Sequence, residues 1–348
     1  MCPFAPQFAS RMANVNASVI REILKVVSQP DITSFAGGMP AQDLFPAEDL
    51  AAAAQAAFST PEVTLRALQY GPSEGYPPLR AAIAAQLAAE GIDLTGNQVL
   101  LTTGSQQGIF MIAQAFLNPG DEIVVGSPTF LGALQAFQGF EARFVTVPLD
   151  GCGMKMDALA RVLEHRKPKF IYAIPTFQNP TGLMLNEERK TELYELACRH
   201  GVPIIEDDPY GDLYFGPTRP AAIKARDREG GVVLLRTFSK VLAPGLRVAY
   251  AVVPDIIMEK LVPLKQCNDL HTSAFTQVMI AEYLASGGLE AHLARLREEY
   301  RKRRDLMLAA MEAHFPEWCT WTRPEGGLFI WVTLPNGMLA APLLQRCV

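Results

Sequence analysis

Several things are scarce in this sequence, and each scarcity removes a class of protein. Its six cysteines, Cys2, Cys152, Cys198, Cys267, Cys319 and Cys347, are scattered, with no C-x-x-C pair and no metal-ligand spacing. A disulfide scaffold and a zinc module are therefore not expected, and buried thiols in a reducing compartment are. Charged residues make up 19% of the chain and the net charge is −5, so no basic surface for nucleic acid is expected. No apolar run reaches the roughly 18 residues of a membrane span. The start, Met1-Cys2-Pro3-Phe4-Ala5-Pro6, has no basic stretch leading into an apolar one. No secretory signal is therefore expected, and the expected location is cytoplasmic. There is no internal repeat and no low-complexity tract; residues 51–57 are only an alanine-rich helix.

What is present is apolar. Hydrophobic residues make up 49% of 348 residues, enough for a large core in two domains or one large one. Helical spacing of Val19, Ile20, Ile23, Leu24 and Val27 predicts an N-terminal helix with Arg21 on its other side. Helices are also expected over 49–58 and 79–90. From there strands and helices alternate. Strands are expected at 99–102, 122–125, 142–148, 170–174, 202–206, 232–235 and 247–253, and helices at 109–116, 131–137, 156–163 and 187–200. That order implies an α/β fold with a mainly parallel sheet. Helices at 256–266, 274–285 and 289–315 follow. A turn and strand over 321–332, then a helix beginning near residue 339, open a second, smaller α+β unit.

Polar clusters follow the predicted strands, where ligand groups collect in such sheets. They are Thr103-Gly104-Ser105-Gln106, Ser127-Pro128-Thr129-Phe130, Asn179-Pro180-Thr181-Gly182, Asp207-Asp208-Pro209-Tyr210, and Thr237-Phe238-Ser239-Lys240 with Arg247 seven positions on. A Gly-Ser turn at a helix start offers free N–H groups and a positive dipole end to an anion. Lys240, on a short loop between buried strands, is a candidate amine nucleophile, because desolvation lowers its pKa. Thr237, Ser239 and Arg247 bring phosphate donors close to that amine. An amine beside a phosphate site is what pyridoxal 5'-phosphate (PLP) requires. Two further loops carry glycines and a hydroxyl: Gly37-Gly38-Met39-Pro40, and Tyr70-Gly71-Pro72-Ser73-Glu74-Gly75 at the head of a stiff turn.

Taken in order, these motifs resemble the fold-type I PLP enzymes, class I/II aminotransferases, from about residue 15 to 335. The runs Ser34-Phe35-Ala36-Gly37-Gly38-Met39-Pro40 and Leu270-His271-Thr272 resemble the 2-aminoadipate aminotransferase branch. The resemblance implies an aspartate aminotransferase-like fold. Its segments would be 1–45 joining the small domain, 46–284 as the large PLP-binding domain, and 285–348 as a small C-terminal domain. It implies that Lys240 holds the cofactor covalently and, once freed, moves the substrate's proton as base and acid. Asp207, selected over Asp208 by the D-x-x-Y spacing, would face the ring nitrogen. Tyr210 and Asn179 would bond the ring hydroxyl, and Phe130 would stack on the ring. Ser105, Gln106, Thr237, Ser239 and Arg247 would cradle the phosphate; the family more often has Ser or Gly where Thr237 stands. Tyr70 would reach the phosphate of a neighbouring subunit, making a homodimer part of the site. Gly38, Asn179 and Arg21 would meet the substrate.

The implied reaction is ping-pong transamination of an amino acid (2-aminoadipate, glutamate, leucine or aromatic) with a 2-oxo acid such as 2-oxoglutarate. One departure stands out. The family's second domain runs further past a strand like Gly326-Gly327-Leu328-Phe329, and it carries an arginine for the substrate carboxylate. Arg346 comes too early to be that arginine. An incomplete small domain with exposed apolar surface is therefore expected. Two alternatives stay open: a PLP-binding but impaired protein, or a PLP-dependent decarboxylase or lyase.

Overall fold

The computed structural model describes residues 7–14, 34–335 and 337–347. The helix expected around residues 15–27, and Arg21 with it, lies outside them. After two short 3-10 helices, Ser10–Asn14 and Gln42–Leu44, the first described α-helices are α1 (Ala47–Ala56), α2 (Pro61–Leu68) and α3 (Pro77–Ala89). Helix α2 went unread in the sequence, although its start signals are there. Thr60 caps it by accepting the Val63 N–H, and Pro61 occupies the first turn, where its missing N–H costs nothing.

The alternating region follows as β1 (Asn97–Thr102), α4 (Ser105–Phe116), β2 (Glu122–Ser127), α5 (Leu131–Gln138), β3 (Arg143–Asp150), β4 (Gly153–Met154), α6 (Met156–His165), β5 (Ile171–Ala173), α7 (Glu187–His200), β6 (Ile204–Asp207), β7 (Val232–Thr237) and β8 (Ala249–Pro254). Helix α4 starts four residues earlier than its apolar pattern indicates. Gly104, at φ 79°, turns the chain so sharply after β1 that Ser105 and Gln106 already form the first helical turn.

The eight strands form one sheet in the order β1-β8-β7-β6-β5-β2-β3-β4. Strands β7, β6, β5, β2 and β3 run parallel. Strand β8 lies antiparallel between β7 and β1. Every residue of β5, β6, β7 and β8 is buried, as expected for strands covered on both faces. One face is packed by Leu79, Ile83 and Leu87 of α3 with Tyr283, Leu293 and Leu296. The other is packed by Ile109 and Met111 of α4 with Phe137, Met258 and Leu261. Each such side chain contributes roughly 1.5–3 kcal/mol on burial.

Because β8 is antiparallel, its N-terminal end lies at the same edge as the C-terminal ends of β1 and β7. Ala249 is in register with both Thr102 and Thr237. Arg247, two residues before β8, therefore arrives beside the turns that leave β1 and β7.

Helices α8 (Asp255–Asn268), α9 (Ala274–Ala285) and α10 (Gly288–His314) come next. The small unit then pairs β9 (Thr320–Trp321) with β10 (Val332–Thr333) and ends in α11 (Ala340–Cys347). Its loop is stitched to the segment after β6. Phe215 N donates to Glu325 O at 2.8 Å and Gly327 N to Leu213 O at 2.9 Å. No described helix is long and apolar enough to cross a membrane.

Candidate active site

The site is assembled from the turns that leave β1, β2, β5, β6 and β7 and from the turn that enters β8. At the β1 turn, Gly104 approaches the Arg247 guanidinium so closely that a Cβ there would collide with it. Arg247 itself has φ 52°, a left-handed conformation costing roughly 1–2 kcal/mol outside glycine. Strain of this kind is typical of residues whose aim matters. The Thr237 hydroxyl donates to Ser239 Oγ at 2.9 Å and accepts the Ser239 N–H at 3.1 Å. The start of α4, the Thr237 and Ser239 hydroxyls at the end of β7 and the Arg247 guanidinium thus come to one corner of the sheet.

Gln106 Nε2 donates to Gly132 O at 2.7 Å, and the Phe130 ring folds over Gly132, where a Cβ would strike it. Gln106 and Phe130 therefore share one wall. The Ser127–Pro128 and Asn179–Pro180 bonds are both cis. Asn179 Nδ2 lies 3.3 Å from the Tyr210 hydroxyl. Burial pushes the Tyr210 phenol up, which keeps it protonated.

Asp207 ends β6 at the floor of the site. Tyr172 of β5 donates to its Oδ2 at 2.6 Å, while Oδ1 is buried and without a partner among the described residues. Burial raises this carboxyl to about 7; the bond from Tyr172 works against the rise and the nearby Asp208 adds to it. Asp208 turns the other way. It pairs with Arg236 at 2.9 Å and Arg219 at 2.8 Å, and Glu90 closes the network at 2.8 Å from Arg236. Asp208 is thereby committed through Oδ2 to two cations that Asp207 does not meet, although its own Oδ1, like that of Asp207, is buried without a partner among the described residues.

Lys240 Nζ donates to Gly38 O at 3.2 Å and lies 5.9 Å from the Tyr210 ring centre. Burial lowers its amine to about 8, helped by the positive charge of Arg247. Gly38 has φ 57°, and a Cβ there would collide with the Phe329 ring. Phe329 also meets the Tyr210 ring edge-on at 5.6 Å. The small unit thus closes the site over Gly38, Tyr210 and Lys240.

Of the residues expected from sequence, Ser105, Gln106, Phe130, Asn179, Asp207, Tyr210, Thr237, Ser239, Lys240, Arg247 and Gly38 all stand at this one edge of the sheet or in the segment that covers it. Tyr70 stands apart, exposed, with its ring edge-on to His271 at 5.8 Å. Arg21 lies outside the described residues. Two residues were missed. Tyr172 reads as one more apolar residue of a central strand; its hydroxyl, next in the sheet to the strand that ends in an acid, was the available signal. Phe329 carries no local signal, because its role depends on how the small unit docks.

Among the described residues no group of His, Cys, Asp or Glu is placed to hold a metal ion. Residues 31–347 match the family model for aminotransferase class I and II. The chain is 42% identical to "Aromatic-amino-acid aminotransferase 1" of Thermococcus litoralis, over 98% of this chain and 83% of that relative. It is 42% identical to "2-aminoadipate transaminase" of Thermus thermophilus, over 98% of this chain and 85% of that one. Its fold is similar to that of Pyrococcus horikoshii kynurenine aminotransferase, solved with PMP, with KYN as substrate and KYA as product. The TM-score is 0.93 at 42% identity, over 97% of this chain and 85% of that one.

Proposed function

The chain belongs to the class I and II aminotransferases and is a PLP-dependent enzyme, and we propose that it transfers the amino group of 2-aminoadipate, glutamate, leucine, kynurenine or an aromatic amino acid to a 2-oxo acid such as 2-oxoglutarate. The aromatic, 2-aminoadipate and kynurenine donors are those of its relatives, glutamate and leucine come from the motif resemblance, and the small and aromatic residues Gly38, Tyr210 and Phe329 that meet beside Lys240 support the range. The observation that carries the reading is Asp207: a buried carboxylate with one oxygen held by Tyr172 and the other unpartnered.

The residues fit the cofactor on three counts. Asp207 has a spare acceptor for a protonated ring nitrogen. Lys240 has an amine whose pKa of about 8 leaves roughly a tenth of it uncharged near neutral pH, far more than an ordinary lysine. The Gly104 turn, the Thr237 and Ser239 hydroxyls and Arg247 converge as donors for a phosphate. When bound, the cofactor's protonated ring acts as a sink for the electron pair released at the substrate's α-carbon. Lys240 Nζ would anchor the cofactor and, as a free amine, would take the substrate's α-proton as base and hand it on as acid to the cofactor's C4′ rather than back to the α-carbon. Asp207 Oδ1 holds the proton on the ring nitrogen. Asn179 and Tyr210 bond the ring hydroxyl, and Asn179 also meets the substrate carboxylate. Phe130 covers one ring face. Ser105, Gln106, Thr237, Ser239 and Arg247 hold the phosphate. Arg21 meets the distal acid of dicarboxylic substrates.

A ping-pong cycle follows, since one site serves donor and acceptor in turn. We assign Tyr70 to the phosphate of a second copy, in a homodimer. Phe58, Leu65, Leu68 and Tyr70 support this, being apolar or aromatic and exposed around one loop. The four described cysteines are free thiols, and against the expected burial only Cys319 is buried while Cys152, Cys198 and Cys267 are exposed; unpaired thiols support a cytoplasmic location.

The test is a visible spectrum of the purified protein with PLP, recorded before and after each donor. Conversion to the amine form of the cofactor with 2-aminoadipate, reversed by 2-oxoglutarate, is the expected result. A spectrum unchanged by every donor would overturn the reading.

A further inference from the structure

Helix α8 contains a lysine that the chemistry above does not use. The Lys265 side chain is fully buried, a costly place for an ammonium unless every hydrogen is matched. All three are matched: by Gln107 Oε1 at 2.6 Å, by Asp269 at 2.8 Å and by Thr272 Oγ1 at 3.0 Å.

Each acceptor leads back to one residue. Gln107 Oε1 also takes the backbone N–H of Thr103 at 2.8 Å. Asp269 Oδ2 takes the Thr103 hydroxyl at 2.7 Å. Thr272 Oγ1 lies 3.2 Å from that same hydroxyl. Thr103 is the residue before Gly104-Ser105, the turn whose N–H groups open α4. The corner 269–272 also reaches the loop that carries Tyr70. Gln277 Nε2 donates to Thr272 O, and its Oε1 accepts the Tyr76 N–H at 2.7 Å.

We propose that Lys265 is a positioning residue for the cofactor phosphate: with Asp269, Gln107 and Thr272 it clamps Thr103 and so sets the direction of the Gly104–Ser105 N–H groups. It acts through the turn, and no contact between Lys265 and the phosphate is invoked. A helix N-terminus binds an anion through several N–H groups aimed together, so a loosened turn weakens them jointly. The reach of the clamp to the Tyr70 loop gives the Leu270-His271-Thr272 run a structural role. The inference rests on the reading that the Ser105 turn binds the phosphate.

The experiment compares apoprotein binding of PLP with that of pyridoxal, which has the same ring and aldehyde but no phosphate, in the full chain and in Lys265→Met and Asp269→Asn. Lys265→Met keeps the side-chain volume, and Asp269→Asn keeps the acceptor on Thr103 while removing the charge that pairs with Lys265. Lys265→Met is expected to weaken PLP by roughly tenfold, a typical size for a supporting shell, with pyridoxal unchanged. Asp269→Asn should show a smaller loss with the same selectivity. Equal weakening of both ligands, or of neither, in both variants would overturn the role of Lys265. An unsubstituted protein that binds pyridoxal as tightly as PLP would instead overturn the phosphate site itself.

Discussion

Tyr172 donates a 2.6 Å hydrogen bond to Asp207 Oδ2, while Asp207 Oδ1 faces no partner among the described residues. Without the cofactor this is an unfavourable place for a charge, and burial lifts the Asp207 carboxyl from 3.8 to about 7. The folded state therefore holds a proton on Asp207 that the unfolded chain has already lost between pH 4 and 7. Stability is fully present below about 4 and falls as pH rises through about 7.

Asp207→Asn removes that loss. The apoprotein of the variant should be more stable than the wild-type apoprotein at pH 8, by on the order of 2–4 kcal/mol, and no more stable at pH 4. Urea denaturation of both apoproteins at the two pH values measures it. Equal stability at pH 8 would show that Asp207 carries no such burden. The same variant should lose transamination by at least about 100-fold, since the charge that holds the ring proton is gone.

Lys240 supplies a second pH dependence of opposite origin. Only the uncharged amine attacks an aldehyde, and burial together with the Arg247 charge lowers this amine to about 8. The rate at which PLP loads onto the apoprotein should rise with pH and level off above about 8, well short of the ordinary lysine value. Stopped-flow absorbance across pH 6 to 10 tests this; a rate still climbing at pH 10 would mean that the amine is not depressed. Lys240→Ala should abolish the covalent spectrum while leaving the Asp207 and Arg247 contacts to retain weak binding.

The alternation of strand and helix was legible because the central strands are apolar on both faces and end in polar turns. The turn motifs carried the site for the same reason: Asn179, Asp207, Lys240 and Arg247 each sit within a few residues of a strand end. What the sequence hid is non-local. Tyr172 meets Asp207 only through the β5–β6 pairing, and Phe329 meets Gly38 only after the small unit docks. Helix α4 began early because Gly104 made the turn, a conformational fact that periodicity does not register. Lys265 read as one lysine of an ordinary helix, and only the packing of α8 on α4 shows that it is buried.

The homodimer reading makes a prediction at Leu65 and Leu68, both well exposed on α2 just before Tyr70. The pair Leu65→Glu and Leu68→Glu should shift the protein toward monomer in sedimentation velocity. PLP affinity should fall with it, because Tyr70 can then no longer reach a second site. Monomers that bind PLP as tightly as the parent would remove Tyr70 from the phosphate site.

The two adjacent acids, finally, should respond to removal with opposite signs. Asp208 is buried between Arg236 and Arg219, at 2.9 and 2.8 Å. Its loss leaves two buried guanidiniums sharing Glu90 and Asp212, and a buried ion pair broken from one side costs about 3 kcal/mol or more. Asp208→Ala should therefore destabilise the apoprotein at pH 8, where Asp207→Asn stabilises it. Its effect on the cofactor spectrum should be small, because its carboxylate points away from the site into the arginines. If Asp208→Ala instead changed the spectrum and left stability intact, the assignment of the ring-nitrogen acid to Asp207 would have to be exchanged with its neighbour. The D-x-x-Y spacing, and the ion pairs with Arg236 and Arg219 that Asp208 makes and Asp207 does not, argue against that exchange, and the paired measurements on both variants decide it.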